Sequence, residues 1–211
     1  RACADGRKQR EDPAQADASS PTVLLESVLL TAVVDAHENR DIAIVDIPNT
    51  FVQTDMEGER VVMKLRGSLA ELLIQVAPEL YSQFVVMENK KVVLYVELLK
   101  ALYGCLRSAL LFYRKLLNDL QEQGYTLNPY DPCVVSKIID NNIHTVIWHV
   151  DDLKASHVQK QVNDTFVEWV KSTYASDGVG QVKTSRGKVH NYLGMVLDFT
   201  EPGVVRISME Y

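Results

Sequence analysis

The sequence predicts an α+β fold, and three observations carry that prediction. Long stretches repeat apolar residues at helical spacing, several apolar runs pair across short polar turns as hairpins, and no regular strand–helix alternation links them. At 211 residues the chain can bury a sizeable core, as one large domain or two small subdomains.

Taken in order, "REDPAQADASS" from Arg10 to Ser20 is polar, Ala/Ser-rich and the least ordered in composition. It leads into a helix, "PTVLLESVLLTAVVDAHE", where Ser20 can cap, Pro21 can occupy the first turn, and Leu25, Leu29, Val33 and Ala36 form a stripe toward the core. "DIAIVDIPNTF" is a continuous apolar run carrying Asp46 and broken by Pro48. "ERVVMKL", "QFVVMEN" and "KVVLYVELL" read as strands, the last two joined by a turn at Asn89 to Lys91, with "SLAELLIQVAPEL" as a short helix among them. "SALLFYRKLLNDLQEQ", from Ser108 to Gln123, is a stronger helix with Gly124 as its stop.

"CVVSKII" and "HTVIWHV" then form a hairpin around "DNN", which places Asp151 and Asp152 at the end of a strand. "LKASH" reads as the return strand, making the two carboxylates the tip of a second tight hairpin. In "VQKQVNDTFVEWVKSTYA" the spacing of Val158, Val162, Phe166, Val170 and Tyr174 predicts a helix. "YLGMVLDF" and "VVRISM" close the chain as a hairpin around Glu201-Pro202-Gly203.

Composition narrows the function classes. With 46% hydrophobic and 24% charged residues and no apolar run long enough for a bilayer, the chain reads as soluble. Its basic start, "RACADGRKQR", has neither an initiator Met nor the apolar core of a signal peptide, so it reads as a fragment. Cys3, Cys105 and Cys133 lie far apart with no CxxC pair, which argues for free thiols over a disulfide framework or a structural zinc site. The net charge of −6 works against nucleic-acid binding by bulk charge, although Arg1, Arg7, Lys8 and Arg10 cluster locally.

The chemistry centres on "TVIWHVDDLKASH". Two adjacent carboxylates at the end of a strand that reads as buried need solvent or cations. A Walker B reading fails because no GxxxxGK[ST] loop accompanies it. A zinc or iron site built from His144, His149 and His157 lacks a recognised ligand pattern, and hydrogen-bonded histidines are the better reading. A two-metal phosphoryl-transfer site, with cations about 3.5–4 Å apart, needs acids from more than one strand. Asp46 is the candidate third member, although alone it reads equally as a turn or cap aspartate.

Five segments in order carry a resemblance: "DIPNTF" at Asp46, "LLKALYGCLRSALLFYRKL" at Leu98, "GYTLNPYDPCVV" at Gly124, "HVDDL" at His149 and "NYLGMVLDF" at Asn191. They resemble the D-V-x-x-A-F, L-x-K-S-L-Y-G-L-K-Q-x-x-R-x-W, G-F-x-x-x-x-x-D-x-x-x-F, Y-V-D-D-L and Y-F-L-G-I-x-[IV] patterns of the reverse transcriptase domain of copia-type LTR retrotransposons (Pseudoviridae). "RACADGRKQ" and "ISMEY" resemble flanking segments of the same domain, so the likeness spans nearly the whole chain.

The resemblance implies a right-hand polymerase palm of ferredoxin-like type with fingers strands, and without thumb or ribonuclease H. Residues 1–20 would be a partial fingers segment, 21–59 the first part of the palm, 60–100 a fingers insertion, and 101–211 the second part, with the Asp-Asp hairpin and a primer-grip-like hairpin. The implied activity is RNA-directed DNA polymerisation, the two-metal transfer of deoxynucleotides onto a primer 3′-hydroxyl, with this isolated fragment expected to be weakly processive or inactive. Asp46, Asp151 and Asp152 would hold two Mg²⁺ ions, with Mn²⁺ as a substitute, and the backbone carbonyl of Ile47 would complete one shell. Phe51 matches the bulky residue that excludes a 2′-hydroxyl, although alone it reads as core. Gly104 matches the glycine where backbone approaches template and nucleotide, Arg1 the fingers arginine that meets the triphosphate, and Lys183 a lysine near the fourth motif that protonates pyrophosphate. Arg1 and Lys183 read equally as solvated surface cations. Implied partners are a primed RNA or DNA template, deoxynucleotides, and the ribonuclease H and integrase of the same polyprotein, with no membrane; the implied setting is cytoplasmic virus-like particles.

The chain departs from the family where His149 replaces Tyr in Y-V-D-D, and where "GCLRSALLFY" replaces G-L-K-Q-x-x-R-x-W. Those changes leave a second expectation open: a catalytically inactive remnant that keeps the fold and binds nucleic acid or a protein partner.

Overall fold

The computed structural model describes residues 3–10, 19–58, 60–175 and 178–209, so the expectation for Arg1 lies outside the described residues. A single turn, α1 (Arg7–Arg10), precedes α2 (Leu25–His37), β1 (Asp41–Asp46) and a 3-10 turn at Thr50–Gln53. The middle of the chain contains β2 (Val62–Arg66), α3 (Ser68–Val76), α4 (Pro78–Tyr81), β3 (Val85–Glu88) and β4 (Lys91–Glu97). α5 (Ser108–Glu122), β5 (Thr126–Leu127), β6 (Val134–Ile139), β7 (Asn142–His149), β8 (Asp152–His157) and α6 (Lys160–Tyr174) follow. β9 (Lys183–Arg186), β10 (Val189–Tyr192), β11 (Met195–Asp198) and β12 (Arg206–Met209) come last.

Among the described residues the strands form three antiparallel sheets, ordered β5-β6-β7-β8-β1-β9, β2-β4-β3 and β10-β11-β12. Helices interspersed with antiparallel sheets are the α+β class that the sequence predicts. Two hairpins turn on residues that tolerate left-handed backbone: Asn89-Lys90 (φ 48° and 62°) and Asp140-Asn141 (φ 48° and 61°). Positive φ at both central positions gives the turn twist that matches paired strands.

β1 is flanked by β8 and β9, and its four central residues are buried. Both of its faces are therefore covered, which explains why it reads as an unbroken apolar run. On one face, Tyr113 of α5 stacks on Trp148 of β7 with ring centroids 6.0 Å apart, and Phe166 of α6 meets His144 of β7 at 5.3 Å. On the other face, buried Lys154 of β8 pairs with buried Asp35 of α2.

That pairing corrects the expected orientation of the first helix. Leu25, Leu29 and Val33 are 54%, 37% and 55% exposed, while Val28, Ala32, Asp35 and Ala36 are buried. Asp35 must face the Lys154 ammonium, and small Ala32 and Ala36 allow close approach, so the leucines rotate outward. The capping expectation changes as well. The helix begins at Leu25, and the Leu24 N–H donates to the Asp131 carboxylate at 3.0 Å, a remote anion at the positive helix end in place of Ser20.

β2, β3 and β4 with α3 enclose their own small cluster of Leu65, Ala70 and Leu94. Backbone hydrogen bonds from Met56 to Leu99 and from Ala101 to Thr54, both 2.9 Å, join the segment that leads into this unit to the segment that leaves it. Among the described residues no helix is long and apolar enough to cross a membrane.

Candidate active site

Pairing register builds the site. Asp152 lies opposite His149 on β7 and opposite Asp46 on β1, and Asp46 lies opposite Lys183 on β9. Directly opposed residues of antiparallel strands project to the same face. His149, Asp152, Asp46 and Lys183 therefore form one row across four strands, ending with Lys183 Nζ 3.8 Å from Asp46 Oδ2. All but Lys183 are half-buried, and Lys183 is exposed.

Asp151 enters from the turn. The β7–β8 hairpin has Val150 and Asp151 as its central pair, with Asp152 already the first residue of β8. Only Val150 of that pair has positive φ, at 56°, the II′ pattern. A β-branched residue there costs on the order of 1–2 kcal/mol, and the pairing of His149 with Asp152 on either side holds the turn in that conformation. The Asp151 carbonyl accepts the Ile47 N–H at 3.1 Å, so the turn is fastened to the end of β1 through a fully buried residue. Asp46, Ile47, Asp151, Asp152 and Lys183 are thus brought together.

Electrostatically the row is a concentration of negative charge. Burial pushes the Asp152 carboxyl above the ordinary carboxylate range, the charges of Asp151 and Asp46 push it further, and His149 opposes them. Protons, ammonium groups or metal cations relieve such repulsion. Among the described residues no group of three or more His, Cys, Asp or Glu side chains is placed to hold a metal ion. Mg²⁺, however, is bound through one or two carboxylates with waters and substrate phosphates, all hard oxygen donors. The paired Asp46 and Asp152, with Asp151 beside them, fit that donor requirement.

Phe51 and Gly104 belong to an adjoining cluster. Phe51 is 8% exposed in the 3-10 turn after β1, its ring 4.3 Å from Tyr103 and 6.4 Å from Phe112. Gly104 has φ +90°, and a Cβ there would lie 1.9 Å from the Ala4 carbonyl oxygen. Only glycine allows the N-terminal segment to lie against this loop.

Sequence reasoning missed two parts of the surroundings. The Tyr192 hydroxyl donates to the Asp152 carbonyl at 3.4 Å, and Asn49 Nδ2 donates to the Val179 carbonyl at 2.6 Å, closing the loop before β9 over the end of β1. Gly178 and Gly180 signal a loop, but nothing local tells where it docks. The alternative histidine site dissolves on geometry. His144 and His157 lie on the face opposite His149, and His144 hydrogen-bonds Tyr125 Oη at 2.6 Å and Asn163 Oδ1 at 2.9 Å.

No protein-family model matches the chain, and no curated protein matches it.

Proposed function

We propose that the chain is the palm-and-fingers part of a reverse transcriptase similar to those of copia-type retrotransposons, an RNA-directed DNA polymerase. The observation that carries this reading is the row of Asp46 and Asp152 on paired strands, with Asp151 on the turn between β7 and β8. In this reading the six-stranded sheet is the palm, and the β2–β4 sheet with α3 belongs to the fingers.

Asp46, Asp151 and Asp152 would hold Mg²⁺, which when bound supplies charge neutralisation at the attacking and leaving oxygens of an in-line displacement. The bond formed joins the primer 3′-oxygen to the α-phosphorus of a deoxynucleotide, and the bond broken releases pyrophosphate. The chain's own residues position these groups. The hairpin pairing and the Ile47 hydrogen bond hold Asp151 at the tip, and β-pairing holds Asp46 beside Asp152. Lys183, exposed at the end of the row, carries the positive charge and proton suited to departing pyrophosphate. Phe51, one short turn beyond Asp46 and packed on Tyr103, would in this reading supply the bulk that limits space around the sugar.

Primer extension on an RNA template with Mg²⁺ or Mn²⁺ tests the proposal, with Asp151→Asn as control. Incorporation of deoxynucleotides by the unaltered chain and its loss in the variant support it. Template binding with no incorporation above the variant, by this chain and by a version extended through a thumb, replaces it with the inactive-remnant reading. Failure of both binding and incorporation removes the polymerase reading and the nucleic-acid-binding form of the remnant, leaving the remnant that binds a protein partner.

A further inference from the structure

The N-terminal segment and the loop before α5 lie side by side. The Ala4 N–H donates to the Tyr103 carbonyl at 2.6 Å, and the Leu106 N–H donates to Gln9 Oε1 at 2.9 Å. Between these anchors the backbones are in direct contact, since a Cβ on Gly6 would lie 2.1 Å from the Gly104 carbonyl oxygen. Cys3 Sγ lies 2.8 Å from where a Gly104 Cβ would stand, and Gly104 immediately precedes Cys105. Cys3 and Cys105 line one cavity of about 320 Å³, shared with Ala4, Gly6 and Gln9. Both thiols are free, with Cys3 exposed and Cys105 buried at 9%.

We infer that Cys3 and Cys105 form a reversible disulfide under peroxide, a covalent clamp of the N-terminal segment onto the loop before α5. The exposed thiol reacts first. The Cys3 thiolate attacks one oxygen of hydrogen peroxide, the O–O bond breaks, and the products are a sulfenic acid and, after proton uptake, water. Cys105 then gives its proton to solvent, and its sulfur displaces the sulfenic hydroxyl, which leaves with a proton as a second water. Each disulfide consumes one peroxide and yields two waters, and a dithiol reductant reverses it.

The asymmetry sets the order of events. Burial raises the Cys105 thiol above its ordinary value and a nearby Cys3 charge raises it further, so Cys105 is the slow resolving partner and Cys3 the point of attack. Cys133 takes no part. It is fully buried, and its backbone carbonyl accepts the Trp148 N–H at 3.1 Å within the main sheet. The thiol chemistry is independent of polymerase activity, so its test can fail or succeed without touching the proposed function.

The whole chain is treated with near-stoichiometric hydrogen peroxide, quenched, alkylated without reductant and digested with trypsin. The expected product is the peptide Ala2–Arg7 linked to Ala101–Arg107 as the dominant form of both, abolished by dithiothreitol. The linked peptide persists in Cys133→Ser and disappears in Cys3→Ser and in Cys105→Ala. The oxidised chain also melts at a higher temperature than the reduced one, because the crosslink closes a loop of roughly 100 residues in the unfolded state. Full alkylation of both cysteines after peroxide overturns the inference. So does Cys3 linked to Cys3 of another copy, or to Cys133, as the dominant product.

Discussion

Replacing Lys154 by Met tests how α2 is held beneath the carboxylate row. Lys154 and Asp35 are 1% and 0% exposed and form a direct ion pair. Removing one partner leaves the other charge buried, which costs on the order of 3–5 kcal/mol. Arg40 Nη1 stands 4.0 Å from Asp35 Oδ1 and gives the stranded carboxylate partial compensation. Lys154→Met should therefore fall near the lower end, about 3 kcal/mol, and Asp35→Leu, which strands the ammonium, nearer 5 kcal/mol. In Asp35→Leu/Lys154→Met neither charge remains, and the double variant should lie within about 1–2 kcal/mol of the unaltered chain, because apolar replacement of a buried pair is often neutral. Urea unfolding of all four proteins gives the coupling energy, with m-values checking that the denatured states are comparable. Additive losses, or a single-variant loss below about 1 kcal/mol, would refute the buried-pair account.

Three further predictions concern His144 and Phe51. His144 is buried, and desolvation lowers its pKa from 6.5 to about 4. The unfolded chain takes up that proton near pH 6.5 and the folded chain only near pH 4, so stability present above the upper value is lost as pH falls between the two. The loss is about 3 kcal/mol over the full window, and denaturant midpoints across it should flatten in His144→Gln. Asp152, with its raised carboxyl, acts in the opposite sense, and it is unchanged in this comparison. Phe51→Ala should lose about 3–5 kcal/mol through its buried contacts with Tyr103 and Phe112. Under the proposed polymerase function, Phe51→Leu, which keeps more of the packing, should admit ribonucleotides in primer extension; unchanged sugar selection would leave Phe51 a packing residue alone.

Much of the fold was legible in local pattern. The hairpin turns at Asn89-Lys90 and Asp140-Asn141 and the Gly124 stop, at φ +84°, appear where turn chemistry places them. α5 and the β7–β8 hairpin were legible because each satisfies its pattern within a short window. In α6 the buried set of Asn163, Phe166, Val167, Val170 and Tyr174 shares three members with the expected stripe, while Val158 lies before the helix. The final hairpin of β11 and β12 was expected, but β9 and β10 were not. "KTSR" and "VHNY" are too short and too polar to announce strands, and pairing with β1 and β11 makes them so.

Sequence by itself determined the candidate residues, two aspartates at strand ends and one in the turn between strands, and the α+β class, because period and turn preference are local properties. Tertiary structure decided which side chains share a face. An apolar helix such as α2 offers more than one plausible stripe, and only the buried Lys154 ammonium selects the face bearing Asp35. Likewise the row of His149, Asp152, Asp46 and Lys183 depends on the register of four strands drawn from distant parts of the chain. A one-residue slip would turn Asp46 to the opposite face of the sheet, so the site exists only where long-range pairing has fixed the register.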